Sequence, residues 1–143
     1  KALIGVKFEK VKDEFTDDEY DKFSDFYGDT LEVESVHSPK RKSVNIYIFK
    51  DIASIHFNNY FDNWNELGTD NAFVLLDGEK WNEHLFNLNT DVHDGVLEAY
   101  SFSYSINDFR KITKAKKFKF RVGIYVGVLD LEKFDFNKSE FVK

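Results

Sequence analysis

From Leu31 onward, apolar and polar residues alternate in short runs: Leu31 and Val33, then Val44, Ile46 and Ile48, then Ala53, Ile55 and Phe57. A period of two marks strands with one face buried and one face wet. No connection between residues 29 and 58 is long enough for a crossover helix, so the pairing there is expected to be antiparallel. The opening Ala2-Leu3-Ile4-Gly5-Val6-Lys7-Phe8 reads as a further short strand. Later, Tyr100, Phe102 and Tyr104 share one face of a strand over residues 97–105, and Ala72-Phe73-Val74-Leu75-Leu76 runs into Asp77-Gly78, a pair that tolerates positive φ and marks a hairpin. The longest alternation places Phe118, Phe120, Val122, Ile124, Val126 and Val128 at even positions, with Lys117, Lys119 and Arg121 between them. One long strand or a hairpin pivoting at Gly123 satisfies it equally.

Helical spacing is predicted in three places. Thr16-Asp17-Asp18-Glu19 has the form of a capping box, Tyr20, Phe23 and Tyr27 fall on one helical face, Phe15 is placed to staple Tyr20, and Gly28 supplies a left-handed stop. Tyr60 to Gly68 carries a shorter helical turn, with Trp64 on the same face as Tyr60 and Leu67. Ser105 caps a helix over 106–115, with Asp108 at its third position and Ile106, Phe109 and Ile112 facing inward. Near the end Phe134 and Phe136 continue the alternation, and Asn137 or Ser139 is placed to open a last helix. The expected architecture is one α+β domain over 1–143, mainly antiparallel, a curved or barrel-like sheet with two or three short helices; the alternative is an all-β sandwich.

Composition supports strands. Of 143 residues, 16 are Phe and 7 Tyr, and such rings pack well on a pleated, half-buried surface. There is no Cys, which excludes disulfides, thiolate catalysis and Cys-ligated zinc or iron–sulfur sites. The apolar runs are far shorter than the roughly 20 residues of a membrane-spanning helix. A chain that opens on Lys1 and holds no Met fits removal of an N-terminal segment such as a secretion or lipoprotein leader, and the expectation leans toward the cell envelope or secretion.

Motifs for chemistry are few. Asn87, Asn89, Asp91 and Glu98 fall at positions 1, 3, 5 and 12 of a calcium-loop spacing, but position 6 is Val92 where the turn wants Gly. No cofactor is expected, with calcium as the alternative. His37, His56, His84 and His93 show no paired ligand spacing, although His84, His93, Asp91 and Asp94 are near in sequence. No Gly-x-Ser-x-Gly elbow and no phosphate loop is present.

Charge is uneven. Residues 9–34 hold eleven acids, while 110–121 hold Arg110, Lys111, Lys114, Lys116, Lys117, Lys119 and Arg121 without an acid. That run suggests an anion site through Arg110, Lys114, Lys117 and Arg121; a net charge of −6 disfavours nucleic acid. Trp81, just beyond the Asp77-Gly78 turn, is the aromatic expected to be exposed as a stacking platform. With catalytic motifs missing, the expectation is a non-catalytic binding or accessory domain with a protein or small-ligand partner. A small carboxylate or histidine enzyme and an acidic inhibitor or immunity-type protein are the alternatives.

Overall fold

The computed structural model describes residues 5–35, 39–62, 72–82, 84–92 and 95–143. It is mostly antiparallel β structure, with strands making up 57% of the described residues and forming two sheets. The first sheet has six strands in the order β1 (Lys7–Lys12), β2 (Glu19–Asp25), β4 (Arg41–Ile48), β5 (Ile52–Phe61), β9 (Val96–Ser105), β8 (Leu85–Val92). The second has five, in the order β3 (Leu31–Val33), β11 (Tyr125–Asp130), β10 (Lys117–Val122), β6 (Ala72–Leu76), β7 (Glu79–Lys80). The expected barrel is absent, since neither sheet closes on itself.

The two sheets pack face to face through aromatic rings. Phe57 of the six-stranded sheet lies 4.4 Å, centroid to centroid, from Phe120 of the five-stranded sheet, and Phe102 meets Phe118 edge-on at 5.6 Å. Rings in tilted or edge-on contact add to the stabilisation from area burial. Ile46, Ile55, Val122 and Leu129 complete one buried core. The inward positions are those that alternation picked out in β4, β5 and β9, which is why these three strands were legible in the sequence.

One α-helix is present among the described residues, α1 (Ile106–Ile112). The Ser105 hydroxyl accepts a hydrogen bond from the Asp108 amide at 3.2 Å, and Ile106, Phe109 and Ile112 are buried, as expected. The expected C-terminal helix is instead a set of three-residue 3-10 turns, Leu131–Lys133, Phe136–Lys138 and Glu140–Val142. These carry Phe134 and Phe136 against Phe23.

The helix expected from Asp17 is strand β2. Thr16 makes only a local turn, accepting from the Asp18 amide at 3.3 Å, and Asp17 has a φ of 62°, outside any right-handed helix. Phe15 is 89% exposed and staples nothing. β2 pairs with β1 on one side and β4 on the other, and this two-sided ladder outweighs a local capping signal. The turn expected at 60–68 begins as the end of β5, and positions 63–71, Trp64 among them, lie outside the described residues.

Two hairpin turns settle the second sheet. Asp77 and Gly78 both have positive φ, 49° and 86°, joining β6 to β7. Gly123, at φ 60°, and Ile124 join β10 to β11, with Val122 opposite Tyr125. The long alternation is therefore a hairpin. A two-residue turn reverses the parity, so Tyr125, Gly127 and Leu129 point inward, while Val126 and Val128 lie on the outer face.

Candidate functional site: a cationic groove on the five-stranded sheet

The outer face of the five-stranded sheet follows from that register. On β10, Phe118, Phe120 and Val122 enter the core, which leaves Lys117, Lys119 and Arg121 outside. Arg121 is flanked by Phe73 of β6 and Val126 of β11, and Lys119 by Leu75 and Val128. Lys80 stands opposite Leu75. Together Phe73, Leu75, Val126 and, between them, Lys119 and Arg121 line a groove of about 410 Å³, with Lys80 and Asn82 toward the β7 side.

The cations of this face are held differently. Lys117 Nζ lies 3.3 Å from Asp130 Oδ2, and Lys119 Nζ lies 3.0 Å from Glu34 Oε1. The Arg121 guanidinium instead sits 4.8 Å from the centroid of Phe73, a cation–π contact, and its N–H fork, with no hydrogen bond to a described residue, can meet an anion. Phe73 is itself 45% exposed. The frame is held by Asp77, whose carboxylate accepts from the Lys116 and Lys117 amides at 3.0 and 2.8 Å and ties the β6–β7 turn to the start of β10. Asn82 Oδ1 accepts from the Val74 amide at 2.9 Å and extends the edge beyond β7.

The linear basic run does not form one surface. Lys117 and Arg121 lie on the outer face, but Arg110 turns to the C-terminal tail, donating to Asn107 Oδ1 at 2.7 Å and to the Phe141 carbonyl at 3.1 Å. Lys114 is exposed just past α1. Trp81 is not the open platform expected: it is half-buried against the core, its indole N–H is shielded without a hydrogen-bond partner among the described residues, and Lys111 Nζ lies 5.7 Å over its ring.

The calcium spacing is likewise dispersed. Asn87, Asn89 and Asp91 lie on the outer face of β8, while Glu98 points to the opposite, inner face of β9 and is 1% exposed. A hairpin whose ligands alternate between faces cannot wrap an ion as a calcium loop does. No group of three His, Asp or Glu side chains among the described residues is arranged to hold a metal. His37, His93 and Asp94 lie outside the described residues.

Glu98 belongs to a buried polar cluster. Asn59 donates to the Tyr100 hydroxyl at 2.9 Å and accepts from the Tyr125 hydroxyl at 3.0 Å, which links β5 and β9 to β11 across the core. Burial is the main cause that pushes both phenols above the usual tyrosine range, and the nearby Glu98 carboxylate adds to it. Such phenols stay protonated and serve as hydrogen-bond donors and acceptors.

No family model, curated protein or solved structure matches the chain. The site is thus read from its chemistry alone. Sequence reasoning missed Phe73, Leu75, Lys80, Lys119 and Val126. The usable signal was the unbroken apolar run of β6, Ala72 to Leu76, since a strand apolar on both faces offers an apolar surface on the side away from the core.

Proposed function

We propose that this chain is a non-catalytic binding domain whose principal site is the groove on the five-stranded sheet, and that its ligand is an anion with an apolar body, such as an aryl or alkyl carboxylate or an acidic amphipathic peptide segment. The observation that carries this reading is the placing of Arg121 and Lys119 between the apolar side chains Phe73 and Leu75 on one side and Val126 on the other. The groove gains from covering its apolar area, and the guanidinium selects a negative end. A groove that combines an apolar lining with a few convergent polar groups is the usual form of a ligand site.

Thermal melting with paired ligands, each anion beside its neutral amide or ester, tests this. An anion that binds only the folded chain, present at 100 times its Kd, raises the midpoint by roughly 5–10 °C for a domain of this size. The neutral partner should give much less. Arg121→Glu and Phe73→Ser should each remove the shift while leaving the unliganded midpoint nearly unchanged, because both side chains lie on the outside of the sheet. A shift that survives both substitutions would place the ligand elsewhere.

A further inference from the structure

The outer face of the six-stranded sheet has a different chemistry. Its register sets Asn45 of β4, His56 of β5, Ser101 of β9 and Asn87 of β8 side by side in one row. The rows on either side carry Tyr47, Ser54, Ser103 and Leu85, and Ser43, Asn58, Ala99 and Asn89. None of these positions is charged, in a chain where 32% of residues are. Asn and Ser are also poor strand formers, so strand propensity does not account for their concentration at the centre of a sheet.

Some of these groups satisfy one another: Ser54 and Ser103 share a hydrogen bond of 2.7 Å, and Asn58 reaches Ser43 at 3.5 Å. Asn45, His56, Asn87, Asn89 and Ser101 have no side-chain hydrogen bond to any described residue. Ala99 and Ser101 are small, and the sheet surface dips there into a depression of about 230 Å³ lined by His56, Asn58, Asn87, Asn89, Ala99 and Ser101. The Tyr47 ring stands edge-on to His56 at 4.8 Å and forms a wall beside the row. Burial holds the His56 imidazole below the usual histidine range, so at neutral pH it presents one donor and one acceptor.

We propose that this depression is a binding site for a neutral carbohydrate, with His56, Asn87, Asn89 and Ser101 meeting its hydroxyl groups. Each sugar hydroxyl both donates and accepts, and an array of amides, a hydroxyl and a neutral imidazole answers it group for group with no charge to desolvate. No described cation lines the depression, Lys22 being held 5.4 Å over the Tyr47 ring, and a purely apolar ligand would leave the amides without partners. The proposal rests on different residues from the groove and stands or falls separately from it.

The test is isothermal titration of the full chain with a panel of neutral oligosaccharides (glucans, mannans, xylans, galactans and chitin oligomers) and an acidic one, oligogalacturonate, for contrast, with two-dimensional NMR of the asparagine side-chain amides. Binding should shift the side-chain amide signals of Asn87 and Asn89. His56→Ala and the double variant Asn87→Ala with Asn89→Ala should each lower affinity about tenfold or more, the scale of one or two lost hydrogen bonds. The double variant lies on an exposed edge strand, and an unchanged melting midpoint shows that it folds even if His56→Ala does not. Arg121→Glu should leave carbohydrate affinity intact. The proposal is overturned if no oligosaccharide of the panel binds, if binding survives the double variant, or if only acidic sugars bind and Arg121→Glu abolishes it, which would assign them to the groove.

Discussion

On the outer face of the six-stranded sheet the central side chains are Asn, Ser and His; on the outer face of the five-stranded sheet they are Lys, Arg, Phe, Leu and Val. Both faces rest on one aromatic core, and in both the outward residues are those the core leaves over. The difference lies in how each face meets its own needs. On the face that holds the groove, Lys117 and Lys119 are paired with carboxylates and Arg121 is stacked on Phe73, so charge is partly neutralised and apolar surface is left open. On the neutral face there is no charge to balance, and hydrogen-bonding groups are left over instead. Alternation along a strand therefore says which residues are outside, while the neighbours across the sheet decide what that outside can recognise.

The largest expected effect breaks both faces together. Phe120 is 1% exposed and packs on Phe57 beneath the groove, so Phe120→Ala should cost roughly 3–5 kcal/mol in a urea unfolding curve. A loss below about 1 kcal/mol would mean that the sheets are not held together there. Next, Asp77→Ala removes the acceptor of the Lys116 and Lys117 amides and should cost about 1–3 kcal/mol by the same measurement. It should also weaken anion binding, by letting β10 shift against β6, and leave the neutral face intact.

A smaller effect separates the faces by pH. Burial, which disfavours the imidazolium, holds both His56 and His84 below the usual histidine range. Between pH 7 and 5 the unfolded chain then binds more protons than the folded one, so stability is complete above about pH 6.5, falls as the pH drops through that value, and levels off below the folded-state values. His56→Gln should reduce the slope without abolishing it, since His84 remains; unfolding midpoints at pH 7.5, 6 and 5 measure this, and an unchanged slope would contradict the burial of His56. The smallest effect sharpens the groove. Glu34→Gln breaks a half-exposed ion pair and should change stability by less than about 0.5 kcal/mol. It also frees Lys119, so anion affinity should rise about two- to threefold at low salt, with the gain shrinking as salt is added.

Parts of this molecule were legible from local signals. β4, β5 and β9 follow strict alternation, α1 carries its own cap at Ser105, and Asp77-Gly78 makes a turn almost irrespective of context. The N-terminal segment was misread because Thr16, Glu19, Tyr20, Phe23 and Tyr27 satisfy a helical pattern as well, and only β1 and β4 on either side make the strand the better state. The basic run at 110–121 was visible as composition, yet α1, its following turn and β10 send its members in different directions, with Arg110 to the tail, Lys117 to Asp130, and Lys119 and Arg121 to the groove.

The sequence by itself determined that this is a Cys-free chain with an aromatic core, antiparallel strands of alternating character, a helix capped by Ser105 and a turn at Asp77-Gly78. These depend on interactions within a few residues, where side-chain period, capping and allowed φ act directly. Only the tertiary structure decided that Val126 faces outward beside Arg121, that Glu98 is turned away from Asn87, Asn89 and Asp91, and that Asn45, His56, Ser101 and Asn87 form a row. Each of those outcomes depends on the register between strands distant in the chain, and register is set by how two hydrophobic faces fit together, not by either strand alone.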